Sequence, residues 1–213
     1  MEVNILSSPS LASVFLADLR NVAVQGDRAR FRRNLFRLGQ VMAYELSKRL
    51  SFETRNIQTP MANMTAHALT QPPVLIGILR AGLPYFQGIQ DFFDEADSGF
   101  IGAYRKEGGN IDIQLDYLVA PSLHQRTLIL IDPMLATGRS LVRALHELGL
   151  RHGQPAHVHI AALIAAPEGV NYLAQHAQHA TVWAFAMDEK LDERSYIVPG
   201  LGDAGDLSFG EKL

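Results

Sequence analysis

From Arg28 to Leu50 the apolar residues Phe31, Leu35, Leu38, Met42, Leu46 and Leu50 recur at three- and four-residue steps. That spacing brings each back to one face of a 3.6-residue turn and predicts a long amphipathic helix. Residues 53–72 carry no such period, are rich in Thr, Asn, Gln and Pro, and read as irregular. Beyond them the texture changes to short apolar runs between helical stretches. Val74–Leu79, Phe100–Ala103, Thr127–Ile131, Val158–Ala165 and Thr181–Ala186 read as strands, with helices over Leu141–Leu150 and Glu168–His176. Several runs are apolar throughout, as strands covered on both faces must be. Strand–helix–strand order with such runs predicts an α/β fold, a mostly parallel central sheet flanked by helices. Tyr196–Gly210, dominated by Gly, Asp and Pro, reads as an ordered loop over the sheet, with Leu201, Leu207 and Phe209 giving it apolar surface to bury.

The length, 213 residues, fits one domain over 1–213, with 1–27 as an N-terminal arm. With no Cys there is no disulfide framework, thiolate nucleophile or Cys-ligated zinc. An acid at Glu2 and the break Ser7-Ser8-Pro9-Ser10 do not resemble a secretory leader, and no apolar run reaches the length of a membrane span. A formal charge of −3 speaks against nucleic-acid or anionic-membrane partners. The expectation is a soluble cytoplasmic protein. Arg28, Arg30, Arg32, Arg33 and Arg37 then read as the solvent face of the long helix. Tyr85 and Phe86, after Pro84, read as helix packing. The pairs His157/His159 and His176/His179 lack partner acids at ligand spacing and read as structural.

The chemistry concentrates after Thr127–Ile131. There the chain runs Asp132-Pro-Met-Leu-Ala-Thr-Gly-Arg-Ser140 into a helical stretch. Unpaired amides at a helix start, its positive dipole end and the hydroxyls of Thr137 and Ser140 suit an anion. Asp132 has the wrong charge for phosphate but accepts hydrogen bonds from sugar hydroxyls. Together they suggest a ribose 5-phosphate. An ordinary strand–turn–helix with Ser or Thr caps fits the same residues, and a Walker A loop is absent. Arg80-Ala81-Gly82 follows another strand, where Gly permits close approach of a bulky anion and Arg80 is either a forked phosphate ligand or a surface cation. Gly200-Leu-Gly-Asp-Ala-Gly205 spells a dinucleotide fingerprint, but only eight residues follow it, too few for the required βαβ unit.

Asp132–Gly138 with Ser140 resembles the phosphoribosyl-diphosphate (PRPP) signature of the uracil phosphoribosyltransferase family, in which Pro follows a single acid. Ile78-Leu-Arg-Ala-Gly82, Tyr104-Arg105, Ala165-Ala-Pro-Glu-Gly169 and Tyr196-Ile-Val-Pro-Gly-Leu-Gly-Asp-Ala-Gly-Asp206 agree in order and spacing. The resemblance implies a type I phosphoribosyltransferase fold and the reaction of uracil with PRPP to give UMP and diphosphate, a step of pyrimidine salvage. It implies that Arg80, Arg105, Asp132 and Asp203 are catalytic. Arg80 and Arg105 would bind the diphosphate, with Asp132, Pro133, Met134, Leu135, Ala136, Thr137, Gly138, Arg139, Ser140 and Asp203 completing the PRPP site. Ile197, Gly202, Asp203 and Ala204 fall on uracil-contacting positions, and Asp203 would reach Mg²⁺ directly or through water. Family members form dimers or larger homo-oligomers and some respond to GTP, for which the sequence locates no site. A transferase for another pyrimidine base, or a non-catalytic nucleotide-binding relative, remains open at this stage. Three positions depart from the family pattern. Arg139 replaces a second Gly, Lys106-Glu-Gly-Gly-Asn110 replaces acids and a Pro, and Leu207 replaces a basic residue. Arg139 would strain the loop if its position needed positive φ, or add outward charge if it did not.

Overall fold

The computed structural model describes residues 1–105 and 113–211, without the side chains of 103–105 and 113–116. Residues 1–27, expected as an arm, contain a strand, β1 (Glu2–Ile5), and a helix, α1 (Leu11–Arg20). The periodic stripe then forms α2 (Arg28–Ser47), opened by Asp27, whose carboxylate accepts from the amides of Ala29 and Arg30. Phe31, Leu35, Leu38, Met42 and Leu46 are buried as the period requires, while Leu50 lies beyond the helix end. All five arginines of this stretch are on the exposed side, and Arg30 pairs with Asp18 of α1 at 2.7 Å.

Residues 53–72 are not irregular. β2 (Phe52–Gln58) pairs antiparallel with β3 (Asn63–Leu69), from Phe52 opposite Leu69 to Gln58 opposite Asn63. Every residue of β2 is exposed, so neither face selects apolar side chains and no alternation exists to read. The turn is fixed locally: the Thr59 hydroxyl accepts from the Ala62 amide at 3.0 Å and donates to the Ala62 carbonyl at 2.7 Å.

The central sheet uses β4 (Val74–Leu79), β5 (Asp97–Arg105), β6 (Ile113–Val119) and β7 (Thr127–Ile131), with α3 (Leu83–Gln90) after β4. β8 (Met134–Leu135) and α4 (Arg139–His152) follow, then β9 (His157–Ala161), β10 (Ile164–Ala165), α5 (Pro167–His176), β11 (Ala180–Ala184) and β12 (Ala186–Met187). The strand order is β1-β11-β9-β7-β4-β5-β6, parallel throughout except that β6 runs against β5. This is the expected α/β architecture.

The runs Val158–Ala165 and Thr181–Ala186, read as single strands, are each split. The Pro133 carbonyl accepts from both Leu163 and Ile164 amides, at 2.9 and 3.2 Å, and the Leu163 carbonyl from both Phe185 and Ala186, at 2.9 and 3.2 Å. Each shared carbonyl inserts a bend, after which the chains resume as a second small sheet, β12-β10-β8. Tyr196–Gly210 is also more regular than a loop. β13 (Lys190–Leu191) pairs with β14 (Ile197–Val198), and α6 (Ala204–Phe209) closes the segment.

Helices α1, α2 and α3 cover one face of the sheet through a core that includes Leu19, Leu35, Met42, Tyr85, Phe86 and Ile131. The other face packs Leu130, Ile160 and Val182 against Leu141, Leu148 and Leu173 from α4 and α5. Gly39 of α2 and Gly88 of α3 meet so closely that a Cβ on Gly88 would lie 1.9 Å from the Phe36 carbonyl. Tyr85 and Phe86 are fully buried, and the Tyr85 hydroxyl donates to the Ala162 carbonyl at 3.2 Å.

His159 is buried in β9, and its Nδ1 accepts from the Trp183 indole N–H at 3.2 Å. Burial, followed by the nearby His157, lowers its pKa to about 4. The folded state therefore resists a proton that the unfolded chain takes up near pH 6.5. Stability is full above that value and falls as pH drops toward the folded pKa. Between pH 7.5 and 5 this group is expected to remove about 2 kcal/mol. Thermal melts across that range should show a shallower slope for His159→Gln, which keeps an acceptor for Trp183. An unchanged slope would refute the assignment.

Candidate active site

A cleft of about 660 Å³ opens beyond the carboxyl ends of β4 and β7, adjacent central strands. Ligands of open α/β sheets bind in such crevices. Its walls come from 78–81 at the end of β4, from Asp132 to Leu141 after β7, and from the terminal segment around Ser195–Ile197 and Leu201–Gly205. Thus Arg80, Asp132, Met134, Leu135, Ala136, Thr137, Gly138, Ser140, Ile197, Gly202 and Asp203 share one cavity. Pro133 is buried behind it in the strand bend, Ala204 is buried in the first turn of α6, and neither lines the cleft.

The loop after β7 has the form an anion requires. Asp132 turns the chain by accepting the Met134 amide at 3.2 Å. Gly138 then caps α4 with φ +74, a left-handed conformation that costs other L-residues about 1–2 kcal/mol. The first amides of α4 have no intrahelical acceptor, and Ser140 stands beside them in the wall. A Cβ on Gly138 would also lie 2.8 Å from the Gly169 carbonyl, so space as well as φ excludes larger residues.

Opposite this loop, Arg80 follows β4 across a cis Leu79–Arg80 peptide bond. Gly82 sits where a Cβ would be 2.5 Å from the Ile78 carbonyl, which permits the tight turn into α3. The Arg80 guanidinium donates to Asp206 Oδ1 at 3.1 Å and to the Gly210 carbonyl at 3.2 Å. That link between the cation and the terminal helix has no signature in the sequence. Arg105 ends β5, and its side chain lies outside the described residues, as does the 106–110 segment.

Asp203 is the N-cap of α6. Its Oδ1 accepts from the Gly205 and Asp206 amides at 2.8 and 3.0 Å, and Gly202 before it has φ +85. A cluster of three or more acids or histidines fit to cage a metal is absent among the described residues. Asp132 and Asp203 nonetheless face one cleft, and Mg²⁺ commonly takes one or two carboxylates, completing its shell with substrate oxygens and water. The donor set fits that mode.

The uracil phosphoribosyltransferase family model matches residues 6–211. This chain belongs to that family. A uracil phosphoribosyltransferase of Porphyromonas gingivalis is 45% identical over 207 residues, covering 96% of this chain and 95% of the relative. One from Methanothermobacter thermautotrophicus is 37% identical, covering 86% and 85%. A solved protein structure from Aquifex aeolicus superposes with a TM-score of 0.89 at 31% identity, covering 99% of both chains.

In this uracil phosphoribosyltransferase family member, the Ala165–Gly169 motif supports the loop after β7 from behind. A Cβ on Gly169 would be 2.2 Å from the Ala136 carbonyl, and the Ala166 amide donates to the Leu135 carbonyl at 2.9 Å. Glu168 accepts the Leu191 amide at 3.0 Å, a bond that lowers its carboxyl pKa. Arg139 resolves the alternative left open by its departure from Gly. It is the first residue of α4, it lacks positive φ, and its guanidinium lies 5.3 Å over the Tyr172 ring of α5, outside the cleft. Arg139→Gly is therefore expected to cost about 1 kcal/mol of stability or less, from helix propensity and the lost stacking. Its KM for the ribosyl donor should stay within about threefold of the parent, which initial-rate kinetics will check. Leu207 packs against the core beneath the terminal segment instead of offering a cation to the cleft. Arg32 of α2 donates to the next residue's carbonyl, that of Ser208, at 2.7 Å.

Proposed function

We propose that the cleft transfers the 5-phosphoribosyl group of PRPP to uracil, yielding UMP and diphosphate. One observation carries the reading: Gly138, left-handed, and Ser140, at the start of α4, line the same cavity as Arg80 and Asp203. The first amides of α4, with Thr137 and Ser140, bind the 5′-phosphate at the positive end of the helix dipole. Asp132 accepts hydrogen bonds from the ribose hydroxyls. Arg80, with Arg105 from β5, binds the diphosphate through charge-assisted forks. Uracil lies on the segment from Ile197 to Ala204, where backbone groups complement its carbonyls and N–H groups and Gly202 leaves room for approach.

In the transfer, the uracil nitrogen forms a bond to the anomeric carbon as that carbon's bond to diphosphate oxygen breaks. The electron pair of the broken bond leaves on diphosphate, and the proton lost from the nitrogen passes to that diphosphate or to solvent. Arg80 and Arg105 stabilise the charge growing there, and the phosphate loop holds the sugar so that the anomeric carbon faces the base. Asp203 and Asp132 would be the residues to hold Mg²⁺, which would supply Lewis-acid stabilisation of the same leaving group. No nucleophile is required of the protein.

The homo-oligomer belongs to the same proposal. Phe52, Ile57, Met61 and Met64 are exposed on the β2–β3 hairpin, and a two-stranded hairpin is marginally stable in isolation. A second subunit covering it would explain both features. Sedimentation of Ile57→Lys/Met64→Lys should then show a smaller species than the parent.

Mixing the purified protein with uracil, PRPP and Mg²⁺ and following UMP tests the activity. Product with uracil is expected; product only with another pyrimidine, or donor binding without turnover, would overturn the reading. Among the described residues no helix is long and apolar enough to cross a membrane.

A further inference from the structure

We propose that Arg20 of α1 and the buried Asp188 form a latch that sets the position of the base-binding segment, which makes both of them positioning residues for uracil. The proposal rests on the reading that uracil lies against residues 197–204.

Asp188 follows β12, and its side chain is 4% exposed. Its Oδ1 accepts from Arg20 Nη2 at 2.7 Å and its Oδ2 from Arg20 Nη1 at 2.8 Å, a two-point fork between planar groups. The same pair takes both polar backbone groups of Gly200. The Gly200 amide donates to Asp188 Oδ2 at 2.9 Å, and the Gly200 carbonyl accepts from Arg20 Nη1 at 3.0 Å. Next in the chain, the Leu201 carbonyl accepts from Gln25 at 3.3 Å. The last residue of α1 and Gln25 beyond it therefore hold the terminal segment immediately before Gly202, Asp203 and Ala204.

Neither Arg20 nor Asp188 lines the cleft, so any effect on substrate passes through this backbone. A buried ion pair often stabilises a fold no better than apolar residues of the same volume. What the pair supplies here is a fixed direction for one peptide unit. That matters for a ligand read by backbone groups, whose hydrogen bonds weaken steeply with misalignment. PRPP is held mainly by segments after β4 and β7 and should be little affected.

The test compares the parent with Arg20→Ala, Arg20→Lys and Gly202→Ala in UMP formation, varying each substrate in turn. Arg20→Ala is expected to raise the KM for uracil about tenfold or more, with the KM for PRPP within about twofold. Arg20→Lys keeps the charge beside Asp188 but loses the planar fork, and should raise uracil KM about threefold. An unchanged uracil KM, or an equal rise in both KM values, would overturn the latch. If Arg20→Ala shows no cooperative thermal transition, Arg20→Lys decides by the same split. Gly202→Ala, strained at φ +85, separates the two ideas. No effect of it on uracil KM would remove the base-binding segment and the latch together. A raised uracil KM there, with the Arg20 variants unaffected, would remove the latch alone.

Discussion

Arg80→Ala is expected to lower kcat for UMP formation by about 10²–10³-fold, the loss typical of removing one preorganised group from a developing negative charge. The residue lines the cleft together with the loop after β7, and in the proposed reading it takes the diphosphate end of the donor. Its ion pair with Asp206 does not account for such a loss. At 42% and 32% exposure the two partners are solvated, and a pair of that kind contributes about 1 kcal/mol or less. The two roles separate experimentally. Asp206→Asn weakens the contact between Arg80 and α6 while leaving the guanidinium available to diphosphate, so its kcat should remain within about threefold of the parent. Arg80→Lys keeps the charge without the fork and should fall between. Equal losses in Arg80→Ala and Asp206→Asn would mean that Arg80 acts by holding the terminal helix.

What the chain reveals without its structure follows from where solvent lies. Val74–Leu79 and Thr127–Ile131 were legible to the residue because central parallel strands are apolar on both faces. The stripe of α2 was legible because one of its faces meets the sheet. The β2–β3 hairpin was not, since β2 is exposed along its whole length and β3 along most of its own, which leaves no burial pattern to read. In β6 a sequence signal was present, since Ile113, Leu115 and Tyr117 alternate with Gln114 and Asp116 at the period of a strand. The strand breaks at Leu163 and Phe185 depend on shared carbonyls from neighbouring strands, which no local pattern records.

The site divides in the same way. The candidates Arg80, Asp132–Ser140 and Asp203 were legible as sequence segments, the turn at Asp132–Ser140 because it is built from consecutive residues, and the structure brings residues of all three to one cleft. The contacts of Asp188 with Arg20 and of Arg80 with Asp206 span 168 and 126 residues. A lone acid closing the apolar run Trp183–Met187 was the only trace of the first. Ser195, with φ +64, and Tyr196 also line the cleft, and only the fold turns them toward it.

Asp203 offers the sharpest separation of structure from chemistry, because its two tasks call for different properties. As N-cap of α6 it needs an acceptor oxygen, and Asn serves about as well as Asp there. Both cap bonds fall on Oδ1, which leaves Oδ2 for the donor or its metal. As a partner of the ribosyl donor and Mg²⁺ it needs negative charge, which Asn lacks. Asp203→Asn should therefore melt close to the parent while kcat falls about 100-fold, with saturation shifted to higher Mg²⁺. Asp203→Ala removes the charge and the cap together. It should show a similar kcat and an additional stability loss of about 1 kcal/mol. A parent-like rate in Asp203→Asn would confine the residue to capping and overturn its role toward the metal. The decisive comparison is the Mg²⁺ dependence of the two variants at equal folded fraction, because a capping defect changes the amount of active protein and not the metal concentration at half-maximal rate.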